Sequence, residues 1–327
     1  MRILTAILEN KTIDYEYYTS YNATIKNASG QGKGEPIMKK MIAVLMAALM
    51  LLSMLSGCAP ADDGPGKNPY NLKTVKEGYL TIATSPDYAP FEFYSLDEKG
   101  KPTLVGFDMD LAKYVADYLG LTLELVPMDF DGTITELGNK KCDLSMAGYS
   151  PDPDRLIYMD FTDVYYTSEQ VLVTTADKKD IITSTEIANN PDYKIGVQTG
   201  SIQAELAHEF TPNADIVELS KVTDIIMELS TGKLDAAFIE TPVVQAYANT
   251  YKNLHIACVI PQDDNGSVIG VYKGNADLLK YVNEAINKAI ADGTFAQYVA
   301  KAVDLAAGDT HQGLLDENGK VPTTSGN

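Results

Sequence analysis

The chain has 327 residues, with 26 Lys and Arg against 45 Asp and Glu, a formal net charge of −19. Six of those basic and four of those acidic residues precede Cys58, so the part from Cys58 onward carries 20 against 41. So acidic a body excludes nucleic-acid binding, which needs a basic face for phosphates, and adhesion to anionic lipid through the protein surface. Three cysteines, Cys58, Cys142 and Cys258, are too few for a disulfide scaffold, and the last two lie in apolar, strand-like contexts that read as small core residues.

Residues 1–37 match neither a signal nor a domain. Met38-Lys39-Lys40 is a basic start, and the apolar run from Met41 to Leu55 follows it, ending at Leu55-Ser56-Gly57-Cys58. A basic start, a short apolar middle and small residues before the cut make a secretory signal, and the run falls short of the ~20 apolar residues that span a bilayer. The expected organisation is therefore an upstream mistranslated or disordered extension over 1–37 and a signal peptide over 38–57. Gly32-Lys33-Gly34-Glu35 supports a start at Met38, since its codons can carry a purine-rich ribosome-binding sequence. A Cys directly after Leu-Ser-Gly resembles the lipobox of bacterial lipoproteins. That resemblance implies acylation of Cys58 and a protein held by lipid to the cell membrane, outside the cytoplasm.

About 270 residues follow, enough for one large domain or two lobes. Residues 58–75 are rich in Pro, Gly, Ala and Asp and read as a flexible tether. Tyr79 to Thr84 alternates as a strand. Phe107 to Leu119 is an amphipathic helix with Leu111, Val115 and Leu119 on one face, and Thr122 to Pro127 a second strand. A short helix over Thr133 to Asn139 leads to a strand from Asp143 to Ala147. The order strand, helix, strand, helix, strand indicates a parallel sheet with crossover helices. A strand at Val171 to Thr174 leads into a second unit of the same kind: strand Tyr193–Val197, helix Ser201–Glu209, strand Ala214–Leu219, helix Val222–Ser230, strand Ala236–Ile239. Ser267 to Tyr272 is strand-like again, and helices follow at Leu278–Ala291 and Thr294–Ala302. The expectation is an α/β protein of two lobes: residues 76–172 with 265–305, and residues 173–264. A two-strand hinge is expected near Val171–Thr174 and Ser267–Tyr272, and a flexible tail over 306–327.

Ordered blocks along this frame resemble one family. They are Ser85-Pro86-Asp87-Tyr88-Ala89-Pro90-Phe91-Glu92-Phe93, Gly106-Phe107-Asp108-Met109-Asp110-Leu111, Asp129-Phe130-Asp131-Gly132, Ala147-Gly148-Tyr149-Ser150, Arg155, Gly196-Val197-Gln198-Thr199-Gly200-Ser201 and Gly232-Lys233-Leu234-Asp235-Ala236-Ala237-Phe238. Together they resemble the bacterial extracellular solute-binding proteins of family 3, the amino-acid receptors of ABC importers. The resemblance implies a type II periplasmic-binding-protein fold, a ligand held between the lobes, and partners in a membrane permease and its ATPase. It implies a monomer, with no cofactor and no metal.

The residue chemistry can be weighed beside it. Arg155 carries a forked, permanently charged head that suits a carboxylate. Among Asp152, Asp154 and Asp160 it also reads as an ion pair, and the resemblance makes it the carboxylate clamp. Ser201 and Ile202 open a helix after a strand, where free N–H groups can bind the same carboxylate, while Ser201 alone reads as an N-cap. By resemblance Ser150 offers its hydroxyl to the carboxylate, and Gly148 and Glu240 meet the ligand ammonium. Glu240 replaces the family's usual Asp with an acid one methylene longer, and Pro151 stands where an apolar Ile is usual. Tyr88 and Phe130 match the aromatic positions that enclose the ligand side chain, although aromatic residues also serve as plain core. Ser85 stands where receptors for basic amino acids carry an Asp, and Gln198 can hydrogen-bond a polar side chain, so the expected ligand is a polar, uncharged amino acid or a cystine-like one. His208, His255 and His311 have no metal or triad spacing. Two other readings are a dehydratase of cyclic substrates on the same fold, for which Glu240 would be the acid–base group, and a sensor without transport.

Overall fold

Alternating apolar residues in Tyr79–Thr84 (β1) bury five consecutive side chains, as a strand covered on both faces must. In the computed structural model, which describes residues 64–97, 99–262 and 266–307, β1 is an inner strand of the six-stranded sheet, the largest of three. All described residues belong to the unit Asp63–Asn327. The expectations on Met38, the signal, Cys58 and the tail beyond 307 lie outside the described residues.

The first lobe begins with β1 and a small antiparallel sheet of β2 (Asp87–Tyr88), β3 (Glu92–Leu96) and β4 (Pro102–Val105). It continues through α1 (Phe107–Leu119), β5 (Thr122–Pro127), α2 (Phe130–Gly138) and β6 (Leu144–Tyr149). A single 3-10 turn (Pro153–Ile157), β7 (Met159–Phe161) and β8 (Tyr166–Thr167) complete the first pass. The second lobe holds β9 (Gln170–Thr175), α3 (Thr185–Ala188), β10 (Lys194–Gln198), α4 (Ile202–Phe210), β11 (Asp215–Leu219), α5 (Val222–Ser230), β12 (Ala236–Glu240), α6 (Thr241–Tyr247) and β13 (Leu254–Val259). The chain then returns through β14 (Gly266–Tyr272), α7 (Ala276–Ala291) and α8 (Thr294–Ala307).

The two lobes share one topology. Sheet order is β5-β1-β6-β14-β7 in the first, with β8 pairing β14, and β11-β10-β12-β9-β13 in the second. In each, three parallel strands from a βαβαβ unit place the first strand in the middle, so the C-terminal ends of β1 and β6, and of β10 and β12, face the same side. Ligands bind outside such strand ends. The sheets are mixed rather than mostly parallel, and the crossovers explain why. A chain that enters a lobe from the cleft must run away from it, opposite to strands that end there. Thus Gln170 at the start of β9 lies opposite Glu240 at the end of β12, and β14 runs antiparallel to β6 with Val268 opposite Tyr149.

Three expected boundaries are corrected. Strand β9 runs unbroken through 172/173, where the lobe boundary and hinge were expected. Val171–Thr174 and Ser267–Tyr272 are sheet members, and the crossing segments pair at β8, just before β9, and at the first residues of β14. There Tyr166 and Thr167 pair with Ser267 and Gly266, so the two crossing segments lie side by side. Residues 64–75, expected as tether, are packed on the first lobe. The Gly66 amide donates to Gly78 O at 2.8 Å, and a Cβ on Gly66 would meet Gly120 O at 2.4 Å. Leu72 is the apolar anchor that the polar composition concealed. It is 5% exposed and bracketed by the Asn68 side chain, which bonds both its amide and its carbonyl. Finally, α8 runs to Ala307 and buries Ala306, so the first two residues of the expected tail are helix.

Leu80, Ile82, Leu144, Ile269 and Val271 of the first sheet pack against Leu111, Val115 and Leu119 of α1 and Val282 and Ile286 of α7. In the second lobe Ile195, Val197, Ala236 and Phe238 pack against Ala204 and Ala207 of α4. Cys142 is buried as expected, its thiol pushed up to about 12 by desolvation, while Cys258 is half-buried; both are free.

Candidate functional site

The lobes meet where the four strand ends converge. Arg155 sits in the 3-10 turn, which Asp152 caps by accepting the Asp154 amide at 2.8 Å on one carboxylate oxygen. The other oxygen takes Arg155 Nε at 3.1 Å. The guanidinium lies 5.7 Å from the Phe130 ring centroid and 5.6 Å from that of Tyr149, and its side chain is 7% exposed. Arg155 is therefore ion-paired, as one of its sequence readings had it, but buried rather than on the surface. Its Nη2 donates across the cleft to Gly200 O at 3.1 Å.

Gly200 adopts a positive φ of 73° and leads into Ser201, the N-cap of α4. Ser201 Oγ donates to Gln198 O at 2.7 Å and accepts from the Ala204 amide at 3.3 Å, a working cap. Ile202 is the first residue of α4, whose first-turn amides have no acceptor within the helix. A guanidinium from one lobe and a helix N-terminus from the other thus face one point, an arrangement suited to a carboxylate.

A second cluster has the opposite sign. Glu240 ends β12 and is buried. It accepts from Tyr88 Oη at 2.7 Å and from Ser168 Oγ. Burial pushes its carboxyl up to about 7 against the lowering effect of those two hydrogen bonds. Tyr88 lies in β2, before a cis Ala89–Pro90 peptide, and its ring packs over Gly148. A Cβ on Gly148 would lie 3.0 Å from that ring, and Gly148 has a φ of 60°, so both space and backbone demand glycine. Ser150 follows β6 and is buried. Ser85, after β1, donates to Asp87 at 2.7 Å. Gln198, expected to face a ligand side chain, gives its amide N–H groups to Asp87 and to Ser220 O, each at 3.2 Å.

The structure adds residues to those expected. Gln203, in the first turn of α4, donates to Tyr88 Oη at 3.3 Å and to Gln170 Oε1 at 2.9 Å. Glu92 and Asp108 are fully buried behind Tyr88. Asp108 accepts Tyr165 Oη at 2.8 and 3.0 Å, and burial raises its carboxyl to about 7. Neither oxygen of Glu92 meets an N–H or O–H donor among the described residues; its neighbour is the Asp108 carboxyl. Burial first, then Asp108, push Glu92 well above the carboxylate range, so it stays protonated beside Asp108. Asp87 is raised to about 6, chiefly by burial. Four buried acids therefore stand in and behind the cleft, with Arg155 already balanced by Asp152. Both Glu92 and Asp108 lie within the sequence blocks quoted above, where their acidity among aromatic residues was the available signal. Among the described residues no group of three or more His, Cys, Asp or Glu could hold a metal ion.

Two mixed sheets joined by paired crossovers, with polar groups of both signs converging between them, define the type II periplasmic binding proteins. The chain belongs to the bacterial extracellular solute-binding proteins, family 3, whose description matches residues 80–304. It is 32% identical over 264 residues to the arginine-binding extracellular protein ArtP of Bacillus subtilis, covering 78% of this chain and 94% of that one. The amino acid ABC transporter substrate-binding protein AbpA of Streptococcus pneumoniae, solved bound to L-arginine, superposes with a TM-score of 0.68 at 30% identity, over 71% of this chain and 97% of that one. An ancestral amino acid-binding protein, AncCDT-1, described as a precursor of cyclohexadienyl dehydratase, superposes with a TM-score of 0.62 at 33% identity, over 69% and 95%. No helix among the described residues is long and apolar enough to cross a membrane.

Proposed function

We propose that the protein is the lipid-anchored receptor of an amino-acid ABC importer, acting as a monomer and held to the membrane through acylated Cys58. It closes its two lobes on one free amino acid and presents the closed form to a permease. The observation that carries this reading is the 3.1 Å contact of Arg155 Nη2 with Gly200 O, which sets a guanidinium against the N-terminus of α4. The ligand carboxylate inserts between them, with Ser150, Ser201 and Ile202 around it. The ammonium takes Glu240 and the Gly148 carbonyl, and the side chain lies between Tyr88 and Phe130, towards Ser85 and Gln198.

The ligand's side chain is polar. The arginine named for ArtP and AbpA points to the cationic end of that range, while Ser85 and the Gln198 amide accommodate an uncharged polar group. A thermal-shift screen of the mature domain against the amino acids, cystine and dipeptides tests the reading. Ligand at 100 times its dissociation constant stabilises the fold by about 2.7 kcal/mol. No shift with any of them would sink it.

One observation favours a second reading. Glu240 is held near 7, where an acid–base group works best, and AncCDT-1 is described as the precursor of a dehydratase. Turnover of a cyclic carboxylic acid, followed by NMR, would establish that alternative.

A further inference from the structure

We propose that Asp87 is a latch that closes the lobes on each other through contacts that involve neither the carboxylate clamp Arg155 nor the ammonium partner Glu240, and so sets affinity without itself touching the ligand. It rests on the receptor reading only for its affinity consequence.

Three elements of the second lobe converge on this one residue of the first. Asp87 Oδ2 accepts the Val222 amide of α5 at 2.6 Å and Gln198 Nε2 of β10 at 3.2 Å. Its backbone carbonyl accepts Tyr247 Oη of α6 at 2.9 Å. Ser85 Oγ holds the other carboxylate oxygen at 2.7 Å and so fixes the rotamer from within the first lobe.

The contact with α5 has a particular chemistry. The N-cap of that helix is Lys221, whose side chain makes no capping hydrogen bond, so its own lobe leaves the first turn without an acceptor there. The opposite lobe supplies one, and supplies it as an anion at the positive end of the helix dipole. Lys221 attracts the same carboxylate, while Asp129 opposes it. Opening the lobes would strip α5 of this acceptor and break the Gln198 and Tyr247 bonds together. Neither Arg155 nor Glu240 takes part.

A receptor whose binding-competent form is partly populated has its affinity scaled by that fraction. Removing Asp87 therefore opens the ligand-free protein and weakens binding mainly by speeding dissociation.

Small-angle scattering of the ligand-free wild type, Asp87→Ala and Tyr247→Phe reads the closed population directly. Asp87→Ala is expected to have the larger radius of gyration, and Tyr247→Phe to shift the same way by less. With L-arginine as the probe, the dissociation constant should rise about tenfold in Asp87→Ala, equivalent to about 1.4 kcal/mol. Ligand-free scattering curves of wild type and folded Asp87→Ala that superimpose would overturn the proposal. If Asp87→Ala does not fold, a Tyr247→Phe curve identical to wild type overturns it instead. A screen without any ligand defeats the receptor reading and leaves the scattering comparison intact, whereas superimposed curves with tight amino-acid binding defeat the latch alone.

Discussion

Tyr88 Oη donates to Glu240 at 2.7 Å, tying the aromatic ring of the first lobe to the acid at the end of β12 in the second. The bond orients the carboxylate whose other oxygen accepts Ser168 Oγ from the crossover. One residue pair thus links the first lobe, the end of β12 and the crossover. Tyr88→Phe keeps the ring over Gly148 and deletes only this bond and that to Gln203. A hydrogen bond to a charged group is worth about 1.5–3 kcal/mol, so titration calorimetry should find affinity at least about tenfold weaker. Unchanged affinity would mean that the pair breaks when ligand binds.

Glu240→Gln removes the negative charge and preserves the shape. Losing one partner of a buried charge pair costs about 2–5 kcal/mol of binding. The variant should fold, since the Gln oxygen can still accept from one of Tyr88 and Ser168 while its amide N–H donates to the hydroxyl oxygen of the other, and should bind its amino acid at least about thirtyfold less tightly. Retained affinity with a retained melting temperature would assign the ammonium to another group.

Arg155 is held in a buried ion pair with Asp152 besides its proposed part in binding, which decides how it should be tested. Arg155→Ala leaves Asp152 buried without its partner, a change that costs stability as well as binding. Arg155→Lys keeps a charge near Asp152 but loses the fork that grips a carboxylate while remaining on Asp152. The Lys variant should therefore melt closer to wild type than the Ala variant does, and both should lose most affinity. Tight binding by the Lys variant would show that a point charge suffices.

The buried acids make both stability and binding pH-dependent, with opposite signs. Asp87 is raised to about 6, and Asp108 and Glu240 to about 7, first of all by burial. Between the ordinary carboxylate range near 4 and these values the native state holds protons that the unfolded chain has lost. Stability therefore falls as pH rises through that window, and the ligand-free protein should melt at a higher temperature at pH 5 than at pH 8. An ammonium beside Glu240 favours its ionised form, so binding near pH 6.5 should expel a proton and tighten as pH rises to 8. Calorimetry in two buffers of different ionisation enthalpy measures that proton. Identical heats in both buffers would remove Glu240 from the ammonium site.

The βαβ units were legible because each strand and helix carries its own period. The expected Phe107–Leu119 and Val222–Ser230 coincide with α1 and α5. Helix α2 begins three residues before its expected start, because Phe130 turns inward beside Tyr149 and its carbonyl accepts Thr133 Oγ1 at 2.5 Å. The two-residue strand β2 is too short to show a period, and the direction of β9 and β14 depends on where the chain enters each lobe. At the site, residue chemistry offered Arg155 as an ion pair or a clamp, and the resemblance chose the clamp. Asp87 and Gln203 were not legible at all: their partners Val222 and Tyr88 lie 135 and 115 positions away, so no local pattern records the contact.

Gly148 and Gly232 separate backbone strain from the shape of the site. Both have positive φ, 60° and 77°. A Cβ on Gly148 would lie 3.0 and 3.1 Å from two Tyr88 ring carbons, while one on Gly232 meets nothing within 4 Å. An L-residue in the left-handed region costs about 1–2 kcal/mol, and each kcal/mol lowers the melting temperature of a domain of this size by about 2–4 °C. Gly148→Ala and Gly232→Ala should thus both melt a few degrees early. Only Gly148→Ala also pushes the Tyr88 ring by a few tenths of an ångström and disturbs its bond to Glu240, so only that variant should lose affinity, by about tenfold or more. Equal affinity in the two variants would show that the Tyr88 ring can give way without cost, and that Gly148 is required by its backbone alone.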